Sequence, residues 1–125
     1  VLSRLQQPII VQEYVREARG QDLRIIVVGD RAVAAMRRKS GGDFRSNIHR
    51  GGTGTAVTLD AETERIAIEA TRCLGLRVAG VDLLESDRGP LLLEVNSSPG
   101  LEGIEGATNI DVANEIISEV ERISD

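Results

Sequence analysis

The fold is decided by residues 78–96, which read VAGVDLLESDRGPLLLEVN. Val78–Leu84 and Leu91–Val95 are apolar runs of the length and composition that favour β-strands. Between them, Ser86–Pro90 is dense in residues that favour turns. This pattern predicts a β-hairpin with two antiparallel strands.

The predicted hairpin gathers polar side chains on one face. If the chain turns symmetrically about Arg88, Asp82 lies directly opposite Glu94. Alternate residues of a strand point to the same side, so Asn96 shares the face of Glu94. The opposite face then carries the apolar residues Val81, Leu83, Leu93 and Val95. That division predicts one polar face and one face packed on helices.

The two facing carboxylates need a partner. At a separation of about 5 Å and an effective dielectric constant of about 20, their repulsion is about 3 kcal/mol. One interpretation is a divalent cation, because two carboxylates and an amide oxygen form the oxygen-only site that magnesium prefers. The other is a solvated face in which Arg88 or another arginine bridges the acids. Leu84 and Leu92, predicted on the same face, favour a covered cleft, but both interpretations stay open.

Elsewhere the sequence alternates between predicted strands and helices. Strands are predicted at Ile9–Tyr14, Leu23–Val28, Ala32–Arg38 and Ala56–Leu59, a loop at Asn96–Gly106, and helices at Asp60–Gly75 and from about Thr108 to Ile123. Hairpins with helices between them predict an α+β fold, with a mostly antiparallel sheet and helices packed on one face.

Composition restricts the class of protein. A length of 125 residues is that of one ordinary domain. The net charge of −5 argues against nucleic acid as a partner, and no apolar stretch is long enough to cross a membrane. Cys73 is the single cysteine, so no intramolecular disulfide forms, and a cytoplasmic location is expected. Its helical spacing with Ile66 and Ala70 predicts a buried, inert thiol.

A glycine-bracketed loop runs from Lys39 to Gly54. Within it, Asp43–Arg50 offers cationic and amide donors, as a clamp for phosphate or carboxylate requires. The alternative is a mobile surface loop with incidental charge. The sequence has no Walker-type glycine-lysine motif, which excludes a P-loop enzyme.

Several blocks of the sequence together resemble the RimK family of ATP-grasp ligases. They are VQEY (11–14), GDFRSN (42–47), HRGG (49–52), GVD (80–82) and LEVNSSPGLEGIE (93–105). The resemblance covers nearly the whole chain. Its last block is specific, because an acid-x-Asn strand end followed by Ser-Pro-Gly is typical of ATP-grasp proteins.

The resemblance implies roles for individual residues. The nucleotide-binding residues would be Glu13, Tyr14, Asp22, Arg45, Ser46 and Asn47, with Glu13 and Tyr14 at the adenine and Asp22 at the ribose. The metal ligands, for two Mg²⁺ or Mn²⁺ ions, would be Asp82, Glu94 and Asn96. The catalytic residues, which stabilise the transferred phosphate, would be Arg45, Asn47 and Arg50.

The resemblance also implies a reaction. ATP would phosphorylate a carboxylate, and the amine of an amino acid would displace phosphate from the acyl phosphate to form an amide. The expected substrates are glutamate and the C-terminal tail of a small-subunit ribosomal protein. Two alternatives are a ligase for another amino acid and a carrier protein or small acid, and a noncatalytic module that binds nucleotide or metal.

The expected domain organisation is one lobe of a larger enzyme. Residues 1–125 would form a single domain, the C-terminal lobe of an ATP-grasp domain. ATP-grasp enzymes clamp the nucleotide with a second lobe that carries a lysine and a glycine-rich loop, and the chain opens on Val1 without that lobe. We therefore expect the isolated chain to be inactive as a ligase, and the full-length protein to be a homo-oligomer.

Overall fold

The computed structural model describes residues 21–39 and 53–124. These residues form a five-stranded antiparallel sheet with strand order β3-β2-β1-β4-β5, and three helices. The elements are β1 (Gln21–Val28), β2 (Arg31–Lys39), β3 (Thr53–Ala56), α1 (Ala61–Cys73), β4 (Val78–Ser86), β5 (Gly89–Asn96), α2 (Glu102–Thr108) and α3 (Val112–Ser124). The strand predicted at 9–14 and the loop segment 43–50 lie outside the described residues.

The predicted fold class is confirmed, while the helices divide between the two faces of the sheet instead of packing on one. Ala67 of α1 packs with Ile25 and Val81 on one face. Ile104 of α2 and Val112 of α3 belong to a second cluster on the other face. The reason is visible in β1, the central strand, where residues 25–28 are all buried and supply apolar side chains to both faces.

The third strand and the predicted loop after Asn96 differ from prediction. The third strand is Thr53–Ala56, and the residues up to Leu59 continue without strand structure. The region predicted as a loop after Asn96 contains helix α2, in which Gly103 and Gly106 lower the helix propensity and so hide it from pattern analysis. Its partner in the core is Ile104, which is fully buried.

Helix α1 begins as predicted but presents a different face. The carboxylate of Asp60 accepts a hydrogen bond from the backbone N–H of Thr63 at 2.8 Å and so caps the helix. The buried residues are Thr63, Ala67 and Thr71, spaced four apart. Cys73 lies off this stripe and is exposed, so the prediction of a buried thiol was wrong.

The β4–β5 hairpin keeps the predicted pairing at one end and shifts it at the other. Asp82 pairs with Glu94 as predicted, but a bulge follows and Leu83 pairs with Leu92. The turn therefore consists of two residues, 87–88, and is not centred on Arg88. Leu92 leaves the face of Asp82 and is 50% exposed, while Leu91 pairs with Leu84 on that face, so the two leucines there are Leu84 and Leu91 instead of the predicted Leu84 and Leu92.

Glu119 joins α3 to the β1–β2 turn. Its carboxylate accepts two hydrogen bonds from Arg122, at 3.0 and 2.7 Å, and lies 3.5 Å from Arg77. A Cβ atom built on Gly29 would lie 3.0 Å from this carboxylate, and Gly29 has a positive φ of 66°. Only glycine therefore fits the turn beneath Glu119 without strain.

Glu119 is expected to make stability depend on pH. Hydrogen bonds from Arg122, and the charges of Arg122, Arg77 and Arg31, hold the pKa of Glu119 below its usual value. Because the folded pKa is depressed, this contribution is fully present above the unfolded pKa of about 4.3 and is lost as pH falls through the folded value. Thermal unfolding from pH 7 to pH 3 should show a steeper loss for the wild type than for Glu119→Gln. Parallel curves would contradict this role.

Among the described residues, no helix is both long and apolar enough to span a membrane.

Candidate metal and nucleotide site

One half of one sheet face is charged. On the face of the second cluster, β1 contributes Ile26 and Val28 at one end, and Asp22 and Arg24 at the other. The same alternation continues on the neighbouring strands with Arg38, Asp82, Glu94 and Asn96. Arg24 pairs with Asp82, and Asp82 with Glu94, so three strands align these charges in one row.

Asp82 is held by arginines. Arg24 donates two hydrogen bonds to its carboxylate, from Nε to Oδ1 at 2.5 Å and from Nη2 to Oδ2 at 2.9 Å. Nη2 of Arg38 lies 3.4 Å from Oδ2. The Asp82 side chain is only 7% exposed, which makes this a nearly buried ion pair. An arginine, Arg24, thus pairs with one of the two facing acids, as the second interpretation requires for Asp82, but it does not bridge Asp82 to Glu94.

Asp22, predicted to bind ribose, is paired with Arg38. The guanidinium donates to both carboxylate oxygens, at 2.8 and 2.7 Å. Burial works against the charge of Arg38, but the hydrogen bonds and charge of Asp22 and the attraction of Asp82 outweigh it, so the pKa of Arg38 is raised above its usual value. Asp22 therefore lies beside the row of Asp82, where it fixes Arg38 in place.

Glu94 and Asn96 differ from Asp82 in their contacts. Glu94 is exposed, and its carboxylate has no ion pair or hydrogen bond within residues 21–39 and 53–124. The side-chain oxygen of Asn96 accepts a hydrogen bond from the backbone N–H of Ser98 at 2.9 Å. This bond turns the chain after β5 toward Pro99.

Pro99 packs against Gly80, the β4 partner of Asn96. A Cβ atom built on Gly80 would lie 2.7 Å from Cβ of Pro99, which is too close for any real contact. Glycine at this position is thus what allows the Ser-Ser-Pro-Gly segment to close over the sheet beside the acids.

Gly80→Ala is expected to displace Pro99 and lower the free energy of unfolding by about 1–3 kcal/mol, the usual cost of overpacking. Urea unfolding measures the effect. Gly100→Ala is the control, because Gly100 lies outside the helices and strands and a Cβ atom on it meets nothing within 4 Å. Equal stability of Gly80→Ala and the wild type would show that the segment can move away freely.

The oxygen atoms on this half of the face are of the kind that a hard divalent cation prefers. This half of the face carries one net negative charge, because it has three acids, Asp22, Asp82 and Glu94, and two arginines, Arg24 and Arg38. A carboxylate offers about four lone-pair positions, and Asp82 uses two of them in its hydrogen bonds from Arg24, with Arg38 3.4 Å away. Within the described residues, no three His, Cys, Asp or Glu side chains form a metal cluster by themselves. The candidate set instead combines two acids with the amide oxygen of Asn96.

The remaining predicted site residues belong to other segments of the chain. Glu13, Tyr14, Arg45, Ser46, Asn47 and Arg50 lie outside the described residues. Conversely, sequence analysis missed Arg24 and Arg38 as parts of the cluster. A signal was present for Arg24, because Asp22 and Arg24 alternate with apolar Leu23 and Ile25 in the predicted strand.

Comparison with solved structures places the fold among the ATP-grasp ligases. The structure of the ATP-grasp ligase PsnB complexed with minimal precursor, Mg and ADP is 28% identical, with a TM-score of 0.63, over 80% of this chain and 33% of that chain. D-alanine–D-alanine ligase from Bacillus anthracis, complexed with ATP, has a TM-score of 0.59 over 83% of this chain and 38% of that chain. At 19% identity, this second likeness concerns the fold alone.

Sequence comparison assigns the chain to one family among the proteins that share this fold. The model of the RimK-like ATP-grasp domain matches residues 1–120, and the chain belongs to this family. "Probable alpha-L-glutamate ligase 1" of Shewanella amazonensis is 58% identical over 119 residues, covering 94% of this chain and 40% of that protein. "Probable alpha-L-glutamate ligase 2" of Shewanella sp. (strain W3-18-1) is 57% identical over the same length. The chain thus spans about two fifths of the length of these curated relatives.

Proposed function

We propose that this chain forms the ATP- and metal-binding lobe of a carboxylate-amine ligase. The enzyme would attach glutamate to the C-terminus of a small-subunit ribosomal protein through an acyl phosphate. The main support is that Asp82, Glu94 and Asn96 share one sheet face at positions that match the family's metal-binding motif. The names of the relatives support glutamate as the amino acid, and the PsnB complex with Mg and ADP supports the cofactors.

Asp82, Glu94 and Asn96 would hold two ions, Mg²⁺ or Mn²⁺. When bound, these ions would offset the negative charge of the nucleotide phosphates. The protein face itself carries one net negative charge and would repel a triphosphate. In this proposal nucleotide binding therefore depends on metal, and metal binding on nucleotide.

The arginines would orient the phosphates. Arg24 and Arg38 are each fixed by two hydrogen bonds to a carboxylate, so their remaining N–H groups have defined directions. Arg45, Asn47 and Arg50 would supply further donors to the transferred phosphate, as the family motif implies. Glu13 and Tyr14 would meet the adenine.

The proposed partners are ATP, glutamate and a ribosomal protein tail, in the cytoplasm. Direct contact with nucleic acid or a membrane is not part of the proposal, and the full-length protein would be a homo-oligomer. A ligase for another amino acid and acceptor, or a noncatalytic module, are the alternatives. The relatives' printed names favour glutamate over the first of these.

Metal titration tests the site. Mn²⁺ uptake, measured by electron paramagnetic resonance, should be weak without nucleotide and should tighten when a nonhydrolysable ATP analogue is present. Asn96→Ala should weaken the uptake, while Asn114→Ala, which removes an exposed amide on helix α3, should not. Nucleotide-independent uptake, or equal effects of the two variants, would contradict the proposed site.

Ligation tests the activity. Alone, the chain should add little or no glutamate. We expect activity when the chain replaces the matching 119 residues of the Shewanella amazonensis relative, with glutamate addition to an acceptor tail followed by mass. An active chimera that uses a different amino acid would support the alternative ligase.

A further inference from the structure

A second charged region lies at the other end of the sheet. A cavity of about 550 Å³ opens between the β1–β2 turn, the end of α1, the start of β4 and α3. We call it the arginine pocket; its charged lining residues are Arg31, Arg72, Arg77, Arg122, Asp30 and Glu119. Arg24 and Val28 are four residues apart on β1, so the pocket is at least about 13 Å from the row of Asp82.

The pocket has excess positive charge in an acidic protein. Four arginines and two acids give its lining a net charge of +2, while the whole chain carries −5. Glu115, outside the lining, pairs with Arg31 at 2.9 Å. Arg72 has no ion pair or side-chain hydrogen bond with any residue that the structure describes. At least one guanidinium fork therefore faces the cavity without a carboxylate from the described part of the protein.

The pocket already binds one glutamate side chain. Glu119 is only 8% exposed, and its carboxylate lies between Arg122 and Arg77. Arg122 binds it through two parallel hydrogen bonds, the geometry in which a guanidinium matches a carboxylate. The same chemistry is available to a carboxylate from outside, at Arg72 and at the exposed sides of Arg31 and Arg77.

We infer that the arginine pocket binds the carboxylates of a glutamate-rich peptide tail. The inference rests on the proposed function, because it takes the glutamyl product as the source of these carboxylates. A tail that carries added glutamates gains one carboxylate per residue, whereas the unmodified tail lacks them. The pocket would therefore retain the modified tail for another addition.

Distance favours a peptide over the triphosphate of the nucleotide. The triphosphate is assigned to the row of Asp82, and about 13 Å along the sheet is longer than a triphosphate reaches. An extended peptide covers that distance with about four residues. The cavity is open to solvent, so a chain can enter and leave it without unfolding the protein.

Calorimetric titration of the 125-residue chain with triglutamate tests the inference, without nucleotide or metal. We expect saturable binding that is lost at high salt. Arg72→Gln should weaken this binding by about fivefold, the upper end of what one solvent-exposed ion pair contributes. The matched control is Arg65→Gln, which removes the same charge from the same helix but lies outside the pocket, where Arg65 pairs with Glu69. Triglutamine controls for backbone binding.

Four results would overturn the inference. They are absence of saturation, equal binding of triglutamine, equal weakening in both variants, and tighter binding of pyrophosphate than of triglutamate, which would define a phosphate site. Nucleotide-dependent Mn²⁺ uptake distinguishes a failure here from a failure of the proposed function. A chain that takes up metal but ignores triglutamate would refute the pocket alone, and one that binds triglutamate without metal uptake would refute the ligase.

Discussion

Asp82→Asn is expected to abolish nucleotide-dependent metal uptake and to lower the free energy of unfolding by about 3 kcal/mol, the usual cost of breaking a buried ion pair by removing one partner. The Asp82 side chain is 7% exposed and that of Arg24 is 15% exposed. Without the carboxylate, the guanidinium of Arg24 remains nearly buried and uncompensated. Urea unfolding of the metal-free protein measures the loss, and Mn²⁺ titration measures the uptake.

Glu94→Gln is the matched control for Asp82→Asn. It should abolish metal uptake to the same extent, because Glu94 is the second acid of the proposed set. It should leave the metal-free protein as stable as the wild type or slightly more stable, because Glu94 is exposed and lies opposite Asp82, which it repels. Clear destabilisation by Glu94→Gln would mean that an arginine bridges this acid too.

Arg24→Gln should also destabilise the metal-free protein by about 3 kcal/mol, but divalent metal should restore part of the loss. Arg24 makes two hydrogen bonds to Asp82 and so competes with a cation for the same oxygens. Removing it leaves a nearly buried carboxylate that a cation can neutralise. Saturating Mg²⁺ should therefore raise the unfolding free energy of Arg24→Gln more than that of the wild type.

Arg37→Gln is the control for the ion pair itself. Arg37 donates two hydrogen bonds to Glu85 in the same geometry, at 2.8 and 2.9 Å, but the two side chains are 38% and 51% exposed. Its loss should cost at most about 1 kcal/mol and should not depend on Mg²⁺. Equal losses in both variants, or no additional stabilisation of Arg24→Gln by Mg²⁺, would show that Arg24 does not compete with metal.

The sequence was sufficient for the local features of the hairpin. Asp82 and Glu94 face each other as predicted, because alternation and a dense turn signal constrain a short antiparallel pair strongly. It did not reveal the bulge. A hairpin with a two-residue turn at 87–88 and no bulge would not place Asp82 opposite Glu94, because the two registers differ by one residue. The bulge between these two points allows both, and only the structure shows it.

Long-range pairing could not be predicted. Arg24 and Asp82 are separated by 58 residues, and no pattern within either strand specifies that β1 lies beside β4. The division of the helices between two faces follows from the same pairing, since β1 becomes central and must be covered on both sides. The exposure of Cys73 has a local cause: the buried stripe of α1 follows Thr63, Ala67 and Thr71, two of which are polar and were not counted as core.

The extra residue in β5 gives the hairpin spare length. On one side of the bulge, Asp82 is fixed by Arg24 and Gly80 by Pro99; on the other, the tight turn is fixed by the Ser86 hydroxyl, which donates to the carbonyl of Gly89 at 2.7 Å. The hairpin can therefore lose the extra residue at the bulge, or gain a residue at the turn, while the contacts on both sides of the bulge are kept. The turn at 87–88 can thus change in length without moving Asp82 and Glu94.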